Sequence, residues 1–255
     1  MKTSKQVTEY VTKIMGVEEE MIRLLPQLED KLGLLNPWVR QLPGIFRGLK
    51  LKPNQIILDI PCGKGGVSIP LAKNFGVKVI GYDVIEAYVN YATSYAKKKS
   101  VGNLCTFKIG DIRDITKHKN ISDVLLWIAP PHIWKTAKET IKALRNCVKN
   151  NGRILIADAY SYKPTKKYED YETMNSTNIG YTTFGDKIIK FVDYKDILWE
   201  EDYNRARKSA EEALKKTKIA NDKQIIKRYI ESLNRDEKSD TKYLGLGIWV
   251  IQVIK

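Results

Sequence analysis

From Gln55 onward, short apolar runs alternate with amphipathic stretches of helical period. The runs are Ile56–Ile60, Val77–Tyr82, Leu104–Ile109, Val124–Ile128 and Arg153–Asp158. Each is short, rich in β-branched residues and apolar on both sides, which predicts strands of a parallel sheet covered on both faces. The stretches between them predict helices over Val67–Phe75, Ile85–Lys99 and Ile133–Lys149, with no more than a turn at Ile115–Lys117. Gly152, after Asn150 and Asn151, stops the last helix before the fifth strand.

The flanks follow other patterns. Helices are expected over Gln6–Met15 and Glu18–Leu34, the second with Met21, Ile22, Leu24, Leu25 and Leu28 on one side and a bend near Pro26. A third follows Asn36-Pro37 and carries Trp38, Val39, Leu42 and Phe46. After Ala159 the regularity breaks. Residues Tyr160 to Gly185, rich in Tyr, Thr, Lys, Asn and Gly, read as a long loop or lid. Lys187–Val192 then reads as a strand, Asp196–Ile219 and Asp222–Asn234 as charged helices, and Leu244–Ile254 as a last apolar strand. The expectation is a single domain: a helical cap (1–50), a core (51–159), a lid with helical insertion (160–240) and a closing strand (241–255).

Composition narrows the class without naming the chemistry. A chain of 255 residues that is 43% hydrophobic and 29% charged can bury one large core. No apolar run is long enough to span a bilayer, and Met-Lys-Thr-Ser-Lys lacks a secretory pattern, so the expected location is cytoplasmic. Three cysteines and two histidines make neither a disulfide framework nor a metal centre, so no metal is expected. The net charge of +14 invites an RNA partner. Lysines spread along the whole chain, as on thermophile surfaces, favour a solvated face instead.

The chemistry begins where the first strand ends. Asp59-Ile60-Pro61-Cys62-Gly63-Lys64-Gly65-Gly66 joins strand to helix, and glycines there let backbone approach a ligand while the helix amides face it. Dinucleotide-binding enzymes use Gly-x-Gly-x-x-Gly in this setting, but Ser68 occupies the third glycine position. Asp59 before the turn suits a ligand with an ammonium group better than a pyrophosphate. Asp83, after Gly81-Tyr82 and before Val84, stands at the next strand tip, where it can accept two ribose hydroxyls. Gly110-Asp111-Ile112 ends the third strand and suits an adenine edge; Trp127-Ile128-Ala129-Pro130-Pro131-His132 ends the fourth. In an open α/β sheet these tips converge on one crevice.

This order and spacing resemble the class I S-adenosylmethionine-dependent methyltransferases, over about Gln55 to Asp158. The resemblance implies a doubly wound, Rossmann-like sheet of seven strands, mostly parallel with the last antiparallel. It implies S-adenosyl-L-methionine as cofactor, with Gly63 and Gly65 against its methionine part, Asp83 on the ribose, and Asp111 with Ile112 on the adenine. Asp59, Pro61, Cys62, Gly66, Val84, Gly110, Trp127 and Ile128 complete the expected cofactor contacts. Pro61 departs from the usual glycine, and Cys62 is read as a small residue tolerated beside the cofactor rather than a nucleophile. The Gly-Lys-Gly-Gly turn and the closing Tyr243-Leu244-Gly245-Leu246-Gly247-Ile248-Trp249-Val250 resemble the branch acting mainly on small molecules.

His132, just past the fourth strand, is the candidate catalytic residue, able to take a proton from an acceptor. Trp127, His132, Tyr160, Tyr162 and Tyr181 are the candidate acceptor contacts. Ala129-Pro130-Pro131-His132 only partly matches the Asn/Asp-Pro-Pro-aromatic segment of enzymes that methylate nucleobase or glutamine amino groups. The leading expectation is methyl transfer to a small molecule. A tRNA methyltransferase, a non-catalytic cofactor-binding regulator and aminopropyl transfer stay open behind it, and no oligomeric state is assigned.

Overall fold

The computed structural model describes residues 19–28, 37–194 and 198–255, together with Thr12. Helices α1 (Glu19–Ile22), α2 (Leu25–Leu28) and α3 (Pro37–Gly48) precede β1 (Ile56–Asp59), α4 (Ser68–Phe75), β2 (Lys78–Asp83) and α5 (Glu86–Lys98). Then come β3 (Cys105–Ile109), α6 (Ile112–Ile115), β4 (Ser122–Ile128), α7 (Ala137–Cys147) and β5 (Val148–Ser161). A 3-10 turn at Lys166–Tyr168, α8 (Met174–Thr182), β6 (Lys187–Tyr194), α9 (Leu198–Lys216), α10 (Ala220–Tyr243) and β7 (Leu244–Gln252) complete the order.

The seven strands form one sheet in the order β3-β2-β1-β4-β5-β7-β6. The first five run parallel, and β7 lies antiparallel between β5 and β6. This is the expected doubly wound, Rossmann-like arrangement. Its strand order reverses between β1 and β4, so the crevice lies beside β1's tip. Strand alternation sends Ile57, Val79, Val124, Leu126 and Leu155 to the face covered by α3, α4 and α5. Leu58, Leu125, Trp127, Ile154 and Ile156 go to the opposite face, against α7 and Tyr181 of α8. The glycines of β7 make room for rings: a Cβ on Gly245 would lie 2.4 Å from Tyr160 Cζ, and one on Gly247 2.3 Å from Trp249 Cη2.

Local signals set the boundaries. Gly76 ends α4 in the left-handed region (φ 65°) and donates its amide to the Ala72 carbonyl. Thr136 caps α7 by accepting the Glu139 amide, and Glu139 accepts the amide of Lys135 in return. The buried Asp186 takes the Arg145 guanidinium at 2.8 Å and the amide of Ile254, tying α7 to the end of the chain.

Several expectations are corrected. The fifth strand is far longer than Arg153–Asp158, because Val148–Asn151 also extends beside β4 across a register shift between Ser122 and Val124. Residues 160–185 are not a structureless lid: β5 runs to Ser161, and α8 packs Gly180 so tightly on α7 that a Cβ there would meet Ala137 Cβ at 2.7 Å. The short helix after β3 starts at Ile112, where Asp111 caps it, rather than at Ile115. The expected helix over 18–34 breaks at Arg23 and Leu24; Pro26 instead occupies the first turn of α2, where its missing amide costs nothing. The expected helix Gln6–Met15 lies outside the described residues apart from Thr12.

Cap and insertion share one core. Met21, Leu24, Leu25 and Leu28 pack with Tyr88 of α5 and with Ala210, Ala213, Ile225 and Ile226 of α9 and α10. Arg23 also pairs with Asp222.

Candidate functional site

β1 delivers a carboxylate to its tip and stops. The turn that follows cannot continue the strand, since Gly63 (φ 49°) and Gly65 (φ 74°) are both left-handed. The turn is fastened to the neighbouring strand by Cys62, whose amide donates to the Tyr82 carbonyl at 2.9 Å. It enters α4 through the Ile69 amide, which donates to the Gly65 carbonyl.

The protein side of this turn is full and the other side is open. A Cβ on Gly65 would lie 2.6 Å from Ile69 Cδ1, and one on Gly81 2.4 Å from Phe107 Cδ1 and 2.9 Å from Cys62 Cβ. At Gly63 a Cβ would meet nothing within 4 Å. The backbone is thus pressed down at two glycines and clear at the third, leaving a cradle beside the carboxylates.

Asp59 pairs in register with Gly81, and Asp83 with Ile109, so the carboxylates stand at adjacent strand ends. Both are buried. Asp83 accepts the amides of Gly63 (2.9 Å, Oδ2) and Ile85 (2.9 Å, Oδ1). Burial pushes it up to about 6, against the pull of those amides. Among the described residues no backbone amide is donated to Asp59. Burial raises it to about 7, the Ser68 hydroxyl works against the rise, and the Asp83 charge adds to it. Two buried carboxylates with raised affinity for protons suit a cationic, hydroxyl-bearing ligand.

The other expected cofactor residues surround this pair unevenly. Pro61, Val84 and Gly110 are half-buried and Gly66 is buried. The Gly110 amide donates to the Asp83 carbonyl, bringing the third strand tip to the second. Cys62 is buried, and burial with the two nearby carboxylates pushes its thiol far up, which leaves it inert as a nucleophile. The Asp111 carboxylate is committed to the chain: it accepts the Arg113 amide at 2.9 Å and pairs with the Arg113 guanidinium. Ile112 is buried and Ile128 half-buried. Lys64, which no expectation singled out, is buried with its ammonium 5.5 Å and 5.6 Å from the ring centres of Tyr88 and Tyr91.

Past β4 the chain turns sharply at Ala129, which is left-handed (φ 46°) and donates its amide to the Ala157 carbonyl. His132 is exposed, and its ring lies edge-on to Tyr171 with centroids 4.4 Å apart. Partial burial holds it below its ordinary value, while Asp170 pulls the other way. Trp127 is buried against Trp134. Tyr160 and Tyr181 are core side chains stacked edge-on to Trp249, and the Tyr160 hydroxyl donates to Asp193 at 2.8 Å. Tyr162 lies exposed beside Tyr160. The aromatic ring brought to His132 is therefore Tyr171, from the same segment but not among those named.

Asp158 is a third residue that sequence reasoning passed over, after Lys64 and Tyr171. It follows Ile156 on the same face of β5, accepts the Ala159 amide at 2.8 Å, and is raised by burial to about 7. The signal was present: like Asp59 and Asp83, it closes an otherwise apolar run. Among the described residues, no group of three or more His, Cys, Asp or Glu side chains is placed to hold a metal ion.

A family model described as a methyltransferase domain matches residues 51–234. Phosphoethanolamine N-methyltransferase of Triticum aestivum is 30% identical over 125 residues, covering 48% of this chain and 24% of that protein. 24-methylenesterol C-methyltransferase 3 of Arabidopsis thaliana is 28% identical over 150 residues, covering 58% and 41%. The chain thus spans well under half the length of either relative. An S-adenosylmethionine-dependent methyltransferase from Geobacter sulfurreducens, solved with S-adenosyl-L-homocysteine, superposes with a TM-score of 0.77 at 18% identity, over 90% of this chain and 97% of that one.

Proposed function

Because the chain belongs to the methyltransferase-domain family, we propose that it is an S-adenosylmethionine-dependent enzyme transferring a methyl group to a small-molecule acceptor. The observation that carries this reading is the pair Asp59 and Asp83 flanking the open side of Gly63. When bound, S-adenosylmethionine supplies a methyl group already activated on a positively charged sulfur. The chain's own task is to hold the two reactants in line, exclude water and accept a proton.

In this reading Asp83 accepts the ribose hydroxyls with the lone pairs left over from Gly63 and Ile85, and Asp59 faces the ammonium end. Gly63 and Gly65 let the backbone lie against the methionine part. Gly110 and Ile112 form the adenine wall, with backbone rather than the Asp111 carboxylate as the polar partner, since that carboxylate already serves Arg113. His132, held below its ordinary value and so neutral near pH 7, takes the proton from the acceptor. A small acceptor is supported by the relatives, whose names specify phosphoethanolamine and a methylenesterol.

Calorimetric titration of the protein with S-adenosylmethionine and, separately, NAD tests the reading. Binding of the sulfonium compound alone, lost in Asp83→Ala, is the expected result. Preference for NAD, or no binding of either, would overturn it.

A further inference from the structure

The connection between α9 and α10 carries an apolar side chain that core packing does not explain. Ile219 is 58% exposed, although it is the residue that enters α10, where a serine, threonine or aspartate would satisfy a free amide of the first turn. Its side chain makes no cap bond. The backbone around it is nevertheless fixed: the Thr217 amide donates to the Ala213 carbonyl, the Ile219 amide to the Thr217 hydroxyl, and the Lys223 amide to the Ile219 carbonyl. The cap braces this end of the hairpin, since Ala210, Ala213, Ile225 and Ile226 are buried with Met21, Leu24, Leu25 and Leu28.

Charge is sorted along the same two helices. Away from the connection acids and bases alternate and pair, Arg205 with Glu201 and Arg207 with Glu237. Around Ile219, by contrast, Lys215, Lys216, Lys218, Lys223 and Lys227 are all exposed. Asp222, the acid within this stretch, is buried and paired with Arg23, and Glu20 of α1 accepts the Asn221 side-chain amide. The carboxyl end of α9 favours cations at Lys215 and Lys216, but Lys223 lies in the first turn of α10, where the helix dipole disfavours one. An exposed aliphatic side chain flanked by lysines on both helices is complementary to an anionic bilayer, whose acyl boundary takes the first and whose phosphates take the others. Nucleic acid fits less well: an isoleucine gives its phosphates nothing, and Tyr229, the nearest ring along α10, packs into the cap core rather than standing free to stack on a base.

We propose that the tip of the α9–α10 hairpin docks on an anionic lipid surface, with Ile219 at the boundary between headgroups and acyl chains and the five lysines on the headgroup phosphates. The contact is peripheral: among the described residues no helix is long and apolar enough to cross a membrane. It does not depend on methyl transfer and holds whatever the acceptor.

Co-sedimentation of the full chain with vesicles tests the contact, with phosphatidylglycerol and phosphatidylcholine in equal parts set against phosphatidylcholine alone, and a tRNA band shift run beside them. The wild type is expected to bind the mixed vesicles, more weakly as salt rises, and not the neutral ones. Replacing Lys218 and Lys223 together by glutamine should weaken binding about twentyfold. Ile219→Ser should weaken it about fivefold with the salt dependence retained. That variant supplies the missing cap, so its melting temperature should hold or rise, and its S-adenosylmethionine affinity should be unchanged. No binding to the mixed vesicles, equal binding to both kinds, or full binding by Ile219→Ser would overturn the proposal. Binding of tRNA in place of the vesicles, dependent on the lysines and indifferent to Ile219, would overturn it in favour of RNA.

Discussion

The two ends of the crevice are built on opposite plans. On the β1–β2 side everything falls within Asp59–Ile85: strand, turn, helix and next strand form one continuous unit, and Asp83 is held by two backbone amides of that unit. On the β4–β5 side the groups come from separate stretches of chain, with His132 after β4, Asp158 on β5 and Tyr171 from the segment beyond. The first plan fixes a carboxylate with main chain, which no substitution of a neighbouring side chain can remove. The second relies on side-chain packing, which can be retuned one residue at a time. A constant cofactor and a variable acceptor would impose this division.

The contrast is broken most directly by Asp83→Ala. It removes the acceptor of two backbone amides and, in the proposed mode, the ribose contacts, each charge-assisted bond contributing about 1.5–3 kcal/mol. Calorimetry should show S-adenosylmethionine affinity down about a hundredfold or more. A variant that binds within a few-fold of wild type would mean that the cofactor lies elsewhere.

Two glycine variants sharpen it further. Gly65→Val forces a branched side chain into a left-handed position with Ile69 already 2.6 Å from the added Cβ, so thermal melts should report a loss of about 1–3 kcal/mol. Gly63→Ala points into open space, and its expected cost is cofactor affinity more than stability. The reverse order of effects would contradict the cradle.

Asp240→Ala tests the other end. Asp240 accepts the hydroxyls of Tyr168 and Tyr203, joining the 3-10 turn to α9 and α10. Leaving them unpartnered costs about 1–3 kcal/mol. Tyr168 packs on Tyr171, so the acceptor KM should rise several-fold with the cofactor Kd unchanged. A change in both constants alike would show that the two ends are not independent.

A separate test concerns pH. Asp59, Asp83 and Asp158 are raised to about 7, 6 and 7, so the folded, ligand-free protein binds protons more tightly than the unfolded chain. Their stabilisation is complete below the ordinary carboxylate value near 4 and is lost as pH rises through 6 to 7. The melting temperature of the ligand-free protein should fall over that window, by about 2–4 °C per kcal/mol lost. Asp59→Asn should flatten the fall, and a melt independent of pH would show that Asp59 carries no raised affinity for protons.

The same division governs how much could be read from the chain. The sheet was legible because largely buried strands such as Ile56–Asp59 and Ser122–Ile128 read as apolar runs with sharp stops. The glycine turn and its two carboxylates were legible because their partners are near in sequence. Tyr160 and Tyr181 were misplaced because an aromatic residue in a polar stretch looks alike whether it fills a pocket or packs on Trp249. Asp111 looked available because its capping and pairing with Arg113 depend on where α6 starts, which is not visible in composition. The shared core of the cap and α9–α10 joins residues some two hundred positions apart, and no local pattern announces such a contact.

The antiparallel strand β7 has a consequence for the order of assembly. It sits between β5 and β6, yet it leaves the ribosome after both and after two intervening helices. Until it emerges, β6 has no seat in the sheet and β5 presents a bare edge. During synthesis the half that bears the glycine turn can therefore mature first, while the half around β5 and β6 waits for its keystone.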